Sequence, residues 1–141
     1  MPASFAGLWG IQDTVRSVPL RCLIVDDNAE FLRVVSMLLG GEGIAVVGVA
    51  SSHAQAMARV RELDPDVVLV DIKLGSECGF VLARELVASA GVSATVIIIS
   101  TYAERDFADL IAASPAVGFV SKSALSGDAI RELVATGSPG T

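Results

Sequence analysis

The sequence contains few of the residues that form disulfide frameworks or soft-metal sites. Its 141 residues include only two cysteines and one histidine. Cys22 and Cys78 each lie in or beside an apolar run, which predicts two small buried side chains and no disulfide framework. Unpaired cysteines are typical of a reducing compartment, so we predict a cytoplasmic protein.

Aromatic residues, basic charge and long apolar stretches are scarce as well. Aromatics make up 5% of the chain, and 10 lysines and arginines stand against 16 aspartates and glutamates, for a net charge of −6. A negatively charged chain is a poor ligand for nucleic acid, and no apolar run approaches the ~18 residues of a membrane span. Neither nucleic acid nor a membrane is therefore a predicted partner. The apolar fraction of 52% indicates a well-packed aliphatic core.

The chain divides into three segments by composition. Residues 1–19 lack a basic start and carry Asp13 within their apolar part, so we predict an N-terminal extension and not a signal peptide. Residues 20–135 have the length of one domain. Residues 136–141 are rich in glycine, serine and threonine, as flexible tails are.

Short apolar runs alternate with stretches of helical periodicity along the domain. The run Val-Val-Leu-Val at 67–70, between Pro65 and Gly75, predicts a fully buried parallel strand. Helices are predicted between the strands, the first capped by Asn28 and the second by Ser51 or Ser52. This alternation predicts an α/β fold, a doubly wound parallel sheet. Its five strands are predicted at 20–25, 44–49, 67–70, 95–99 and 117–120.

Polar residues follow the predicted strands at their carboxyl ends. Asp26 and Asp27 follow the first strand, Asp71 the third, Ser100 the fourth and Lys122 the fifth. These ends share one edge of a parallel sheet, so we expect the side chains to converge in one cleft. Three carboxylates at close range repel one another, and an all-oxygen site with few carboxylates favours Mg²⁺ as the counter-charge. A lysine and a hydroxyl beside them could hold a phosphoryl group, with Asp71 as its covalent acceptor.

These residues resemble the signature of the receiver domain of two-component response regulators. The acidic pair Asp26-Asp27, Asp71 within Val-Leu-Val-Asp-Ile-Lys-Leu, Ser100 after Val-Ile-Ile-Ile, and Lys122 in Gly-Phe-Val-Ser-Lys carry the resemblance, which covers about residues 20–135. It implies the flavodoxin-like (βα)5 fold of the chemotaxis receiver, with strand order 2-1-3-4-5. The residues after Lys122 also resemble receivers that precede a LuxR-type DNA-binding domain.

The resemblance implies roles for individual residues. Asp71 would be the phospho-acceptor, and Asp27 and Asp71 would ligate Mg²⁺ directly, together with the backbone carbonyl of Lys73. Asp26 would act mostly through water, while Lys122 and Ser100 would hold phosphoryl oxygens.

Three further positions are implied to act in switching or timing. Phe119 matches the aromatic switch position and would rotate inward as Ser100 moves toward the phosphoryl group. The alternative for Phe119 is an ordinary core side chain. Lys73 and Tyr102 stand two residues past the acceptor and the hydroxyl, where side chains tune the lifetime of the phosphoryl group.

The implied function is a phosphorylation-activated signalling switch, not an enzyme acting on a free metabolite. Its partners would be a histidine kinase or phosphotransfer protein, and a downstream protein or a missing output domain. A phosphorylation-dependent homodimer is also implied.

Three alternatives stay open at this point. A pseudo-receiver would use the fold for protein interaction or dimerisation only, without phosphorylation. A Mg²⁺-dependent aspartyl phosphatase would need an acidic residue two positions after its nucleophile, where Lys73 stands. A flavodoxin-like cofactor binder is disfavoured because Asp26-Asp27 would repel the phosphate of FMN.

Overall fold

The central feature of the fold is a parallel β-sheet with helices on both faces. The computed structural model describes residues 18–89, 91–101 and 104–136. Within them, a five-stranded sheet has the order β2-β1-β3-β6-β7. Its strands are β1 (Arg21–Val25), β2 (Ala45–Ala50), β3 (Val67–Asp71), β6 (Thr95–Ser100) and β7 (Gly118–Ser121). Counted along this sheet alone, the order is 2-1-3-4-5, which confirms the prediction.

A small antiparallel pair and five helices complete the described part of the chain. β4 (Lys73–Leu74) and β5 (Glu77–Cys78) form a hairpin directly after β3. The helices are α1 (Ala29–Gly41), α2 (His53–Leu63), α3 (Gly79–Ala88), α4 (Ala108–Ala113) and α5 (Gly127–Thr136). The predicted helix over 104–113 differs in its first turn, which is a separate 3₁₀ helix, Glu104–Phe107. A second 3₁₀ helix, Lys122–Ala124, follows β7.

The helix caps explain where α1 and α2 begin. Asn28 Oδ1 accepts a hydrogen bond from the backbone N–H of Phe31, 3.0 Å away, as predicted for the first cap. In α2 the cap is Ser52, whose Oγ accepts from Gln55 N at 3.2 Å. Each bond satisfies a backbone donor that the first turn of a helix leaves without an intrahelical partner.

The sheet separates two apolar cores because successive side chains of a strand point to opposite faces. One core contains Leu23, Val68 and Val70 under α2 and α3. The other contains Ile24, Leu69 and Ile97 under α1 and α5. All five residues of β3 are buried, so the strand lies in the middle of the molecule and its last residue, Asp71, is held by buried backbone.

The two cysteines differ from the prediction that both are buried. Cys22 is buried in β1, and burial raises the pKa of its thiol to about 12, so it stays protonated and inert. Cys78 is exposed, because it stands on the hairpin outside both cores. No helix within the described residues is long and apolar enough to cross a membrane. Most of the predicted extension and tail lies outside the described residues.

Candidate functional site

Polar side chains collect at the carboxyl edge of the sheet, where the strands end. Asp26 follows β1, Asp71 ends β3, Ser100 ends β6 and Lys122 follows β7. Parallel pairing aligns Val25 with Val70 on neighbouring strands, and Ser100 with Ser121. Residues distant in sequence therefore meet at one edge.

Three carboxylates form the acidic part of this site. One carboxylate oxygen each from Asp26, Asp27 and Asp71 lies within 4.8 Å of the others. Asp26 is fully buried and Asp71 is 8% exposed, whereas Asp27 is exposed to solvent. The site is therefore buried at Asp26 and Asp71 and open to solvent at Asp27.

Backbone donors hold two of the carboxylates in place. Asp26 Oδ1 accepts from Asn28 N at 2.9 Å, which closes the turn into α1. Asp27 Oδ2 accepts from Gly75 N at 2.7 Å and so joins the end of β1 to the loop after β3. Gly75 has a φ of +64°, a left-handed conformation that favours glycine.

Lys122 supplies the positive charge. Its Nζ lies 2.5 Å from Asp26 Oδ2, in a close ion pair, and 3.5 Å from Asp71 Oδ2, to which it donates a hydrogen bond. The side chain is only 13% exposed. The ammonium also lies over the ring of Phe31, 4.2 Å from its centroid. Phe31 belongs to the apolar pattern of α1, and the sequence did not mark it as a site residue.

The surroundings of Asp71 favour its protonated form. Burial raises the pKa of this carboxyl group from 3.8 to about 6; the negative charge of Asp26 adds to the rise, and Lys122 opposes it. Three carboxylates and one ammonium leave an excess of negative charge in the site. The atoms of the cluster that could ligate a metal are all carboxylate oxygens. This donor set fits a hard divalent cation such as Mg²⁺.

Gly79 is a second site residue that the sequence did not reveal. Its N–H donates to the carbonyl of Ile72 at 2.7 Å, so α3 starts against the backbone that directly follows β3. A Cβ at this position would lie 1.9 Å from the carbonyl oxygen of Asp71, far inside van der Waals contact. The signal in the sequence was only a glycine at the end of a loop.

The remaining predicted residues lie around the cluster. Ser100 is buried at the end of β6, beyond Ile99, which pairs with Asp71. Phe119 is half-buried on β7 and packs against the core under α2 and α3. Lys73 is exposed on the hairpin, opposite Cys78. Tyr102 lies outside the described residues.

Residues 22–135 match the family described as the response regulator receiver domain. The chain belongs to this family. Receiver domains of this kind take part in phosphorylation-dependent two-component signalling, in which histidine kinases and output domains are their partners.

Two curated relatives show in which larger proteins similar receiver domains occur. This receiver domain is 35% identical over 117 residues to protein-glutamate methylesterase/protein-glutamine glutaminase 5 of Myxococcus xanthus, a match that covers 82% of this chain and 34% of the relative. It is 38% identical over 101 residues to the DNA-binding response regulator MtrA of Mycobacterium bovis, covering 70% and 40% of the two chains. The chain therefore spans well under half the length of either relative.

Two solved structures agree in fold. The two-component response regulator of the LuxR family from Aurantimonas sp. SI85-9A1 superposes with a TM-score of 0.76 and 28% identity, over 84% of this receiver domain and 87% of that chain. The receiver domain of the response regulator NarL from Mycobacterium tuberculosis superposes with a TM-score of 0.74 at 23% identity, over 83% and 97% of the two chains.

Proposed function

We propose that this receiver domain accepts a phosphoryl group on Asp71 and thereby changes the surface that a partner binds. The observation that carries the proposal is the convergence of Asp26, Asp27, Asp71 and Lys122 at one edge of the sheet. Asp71 stands at the centre, on a buried strand, with its carboxylate 11% exposed. Its carboxylate is therefore not wholly closed off from solvent.

Mg²⁺ is the cofactor that this site is proposed to bind. Asp27 and Asp71 would ligate it directly, the backbone carbonyl of Lys73 would be a third ligand, and Asp26 would act mostly through water. The ion would supply positive charge for the carboxylates and for the oxygens of an incoming phosphoryl group. The raised pKa of Asp71 supports this part, because a cation would favour the ionised carboxylate that the reaction needs.

The transfer itself uses the side chains around the acceptor. A carboxylate oxygen of Asp71 attacks the phosphorus atom, the bond from phosphorus to the imidazole nitrogen of the donor breaks, and that nitrogen keeps the electron pair. Lys122 and Ser100 would hold the phosphoryl oxygens. Lys122 already points its ammonium between two carboxylates, so it is close to where the new negative charge forms.

The conformational response is proposed to involve Ser100 and Phe119. Ser100 would move toward the phosphoryl oxygens, and Phe119 would rotate inward on the neighbouring strand. The half-buried state of Phe119 supports this role because its ring has less packing to break than a fully buried one. Lys73 and Tyr102 are proposed to tune the lifetime of the phosphorylated form.

The partners are proposed to be a histidine kinase or phosphotransfer protein and an output protein or domain. Three apolar side chains on α1 support a protein contact, since Val34, Met37 and Leu38 are all substantially exposed. The named relatives include a methylesterase and a DNA-binding regulator, so the output could lie in another domain or in a separate protein. We propose residues 20–135 as the domain, with an extension before it and a tail after it.

The decisive experiment is the intact mass of the protein after incubation with Mg²⁺ and acetyl phosphate. We expect one phosphoryl adduct on the wild type, and none on Asp71→Asn or after addition of a chelator. Asp109→Asn, an exposed carboxylate on α4, is the matched control and should be phosphorylated normally. No adduct on the wild type, together with no binding of Mg²⁺ by calorimetry, would favour the pseudo-receiver instead.

A further inference from the structure

The ammonium of Lys122 has one neighbour that is not a carboxylate. Asp26 and Asp71 lie on one side of it, and the ring of Phe31 covers another, 4.2 Å from Nζ to the ring centroid. Phe31 comes from α1, whereas Lys122 follows β7. The contact therefore joins α1 to the segment that follows β7.

The position of Phe31 is set by the same turn that carries the acidic pair. Asn28 follows Asp26-Asp27 and caps α1 by accepting from the backbone N–H of Phe31. Asp26 in turn accepts from Asn28 N, so the turn is closed at both ends. The ring is half-buried and packs beside the core under α1 and α5. The ring face is thus presented to Lys122 by a rigid element.

An aromatic face suits this task for an electrostatic reason. The ring attracts a cation through its quadrupole, but it binds the N–H groups of an ammonium less strongly than an oxygen acceptor would. The donors of Lys122 stay available for the acceptor carboxylate and for phosphoryl oxygens. A lysine side chain is long and flexible, and attraction to the Phe31 ring restricts the ammonium of Lys122 to the cleft.

We propose that Phe31 is a positioning residue, which holds the ammonium of Lys122 beside Asp71 for phosphoryl transfer. The proposal rests on the function proposed above. It adds a residue of α1 whose side chain touches neither the phosphoryl group nor the metal ligands' oxygens but acts through the lysine.

The first test is spectroscopic and independent of phosphorylation. The sequence contains two lysines, Lys73 and Lys122, so lysine-labelled protein gives two sets of ε-methylene signals in a proton–carbon spectrum. Protons over an aromatic face are shifted upfield by the ring current. We expect this shift for Lys122, whose signals are identified in Lys73→Arg, where Lys122 is the one lysine left in the sequence.

Substitutions at two rings assign that shift. Phe31→Leu should move the Lys122 signal to the position of an ordinary lysine, and Phe31→Tyr should retain the upfield shift. Phe80→Leu is the matched control, because it makes the same exchange at a buried ring that packs against Phe107. It should leave the Lys122 signal unchanged.

The second test is kinetic. With acetyl phosphate at saturating Mg²⁺, Phe31→Leu should lower the maximal rate of phosphorylation about fivefold, equivalent to about 1 kcal/mol. The KM for acetyl phosphate and the Kd for Mg²⁺ should change little, and Phe31→Tyr should restore the rate. A merely structural role would instead lower the melting temperature and weaken Mg²⁺ binding as well.

Three results would overturn the proposal. A Lys122 signal without an upfield shift removes the contact, and a Phe31→Leu rate equal to the wild-type rate removes its role while leaving the acceptor function intact. A wild type that is not phosphorylated at all would overturn the proposed function and this inference together, even if the upfield shift were present.

Discussion

The two apolar cores and the carboxyl edge of the same sheet affect the stability of the folded state in opposite ways. In the cores, aliphatic side chains from β1, β3 and β6 are buried against helices, and their contribution to stability depends on buried area and packing. At the edge, burial of Asp71 and the negative charge of the buried Asp26 both disfavour the ionised form of the Asp71 carboxyl group, and Lys122 opposes these effects only in part. Burial in the cores therefore stabilises the folded state, whereas the buried carboxylates that form the candidate site destabilise it.

Removing a core side chain should have the largest effect on folding. Leu69 is fully buried in the middle of β3, and Leu69→Ala should lower the free energy of unfolding by about 3 kcal/mol through lost burial and the cavity left behind. Chemical denaturation at several pH values measures this loss, which should be the same throughout. A loss that varied with pH would indicate that the core and the edge are coupled.

Gly79→Ala should also lower the free energy of unfolding, because Gly79 lies at the boundary between the core and the carboxyl edge. The added Cβ meets backbone, which cannot move aside cheaply, so we expect destabilisation of about 2 kcal/mol and weaker Mg²⁺ binding. Gly40→Ala is the matched control, since a Cβ there meets nothing within 4 Å and should improve the helix slightly. Equal stabilities of the two variants would show that the start of α3 can shift away from Asp71.

Neutralising Asp71, the proposed acceptor, should stabilise the protein, whereas removing a core side chain should destabilise it. The folded pKa of Asp71 is raised from 3.8 to about 6, so the folded state holds its proton more tightly than the unfolded chain. This group's contribution to stability is present below about pH 4 and is lost as the pH rises through about 6. In chelator at pH 7, Asp71→Asn should therefore be more stable than the wild type by roughly 2–3 kcal/mol, a value that already includes the opposing attraction to Lys122.

Melting temperatures of the wild type and Asp71→Asn, measured from pH 4 to pH 7, test this prediction. The difference should widen across that interval and level off above it. A difference in melting temperature that stayed constant with pH would mean that ionisation of Asp71 does not destabilise the folded state.

The smallest expected effect is that of the metal on the wild type. At ten times its Kd, Mg²⁺ should raise the stability of the folded state by about 1.4 kcal/mol, because it binds the folded form only. The rise in melting temperature should be absent in Asp71→Ala. An equal rise in that variant would place the ion elsewhere.

Much of the architecture could be predicted from local patterns. The run Val67–Val70 is apolar without alternation, and such a run predicts a strand buried on both faces wherever it occurs. The cap at Asn28 and the aspartates at strand ends are equally local signals. Strand order was different, because it followed from the resemblance to receiver domains and not from any pattern of residues.

The atomic arrangement of the site depended on the tertiary structure. That Lys122 lies closer to Asp26 than to Asp71, that Asp27 is exposed, and that Phe31 covers the ammonium all depend on strand register and on how α1 sits on the sheet. The clearance at Gly79 is set by the start of α3 against β3. The periodicity and composition of a segment indicate which of its side chains are buried, because that pattern is contained in a few neighbouring residues. Distances between side chains far apart in sequence are decided by packing, which no single segment contains.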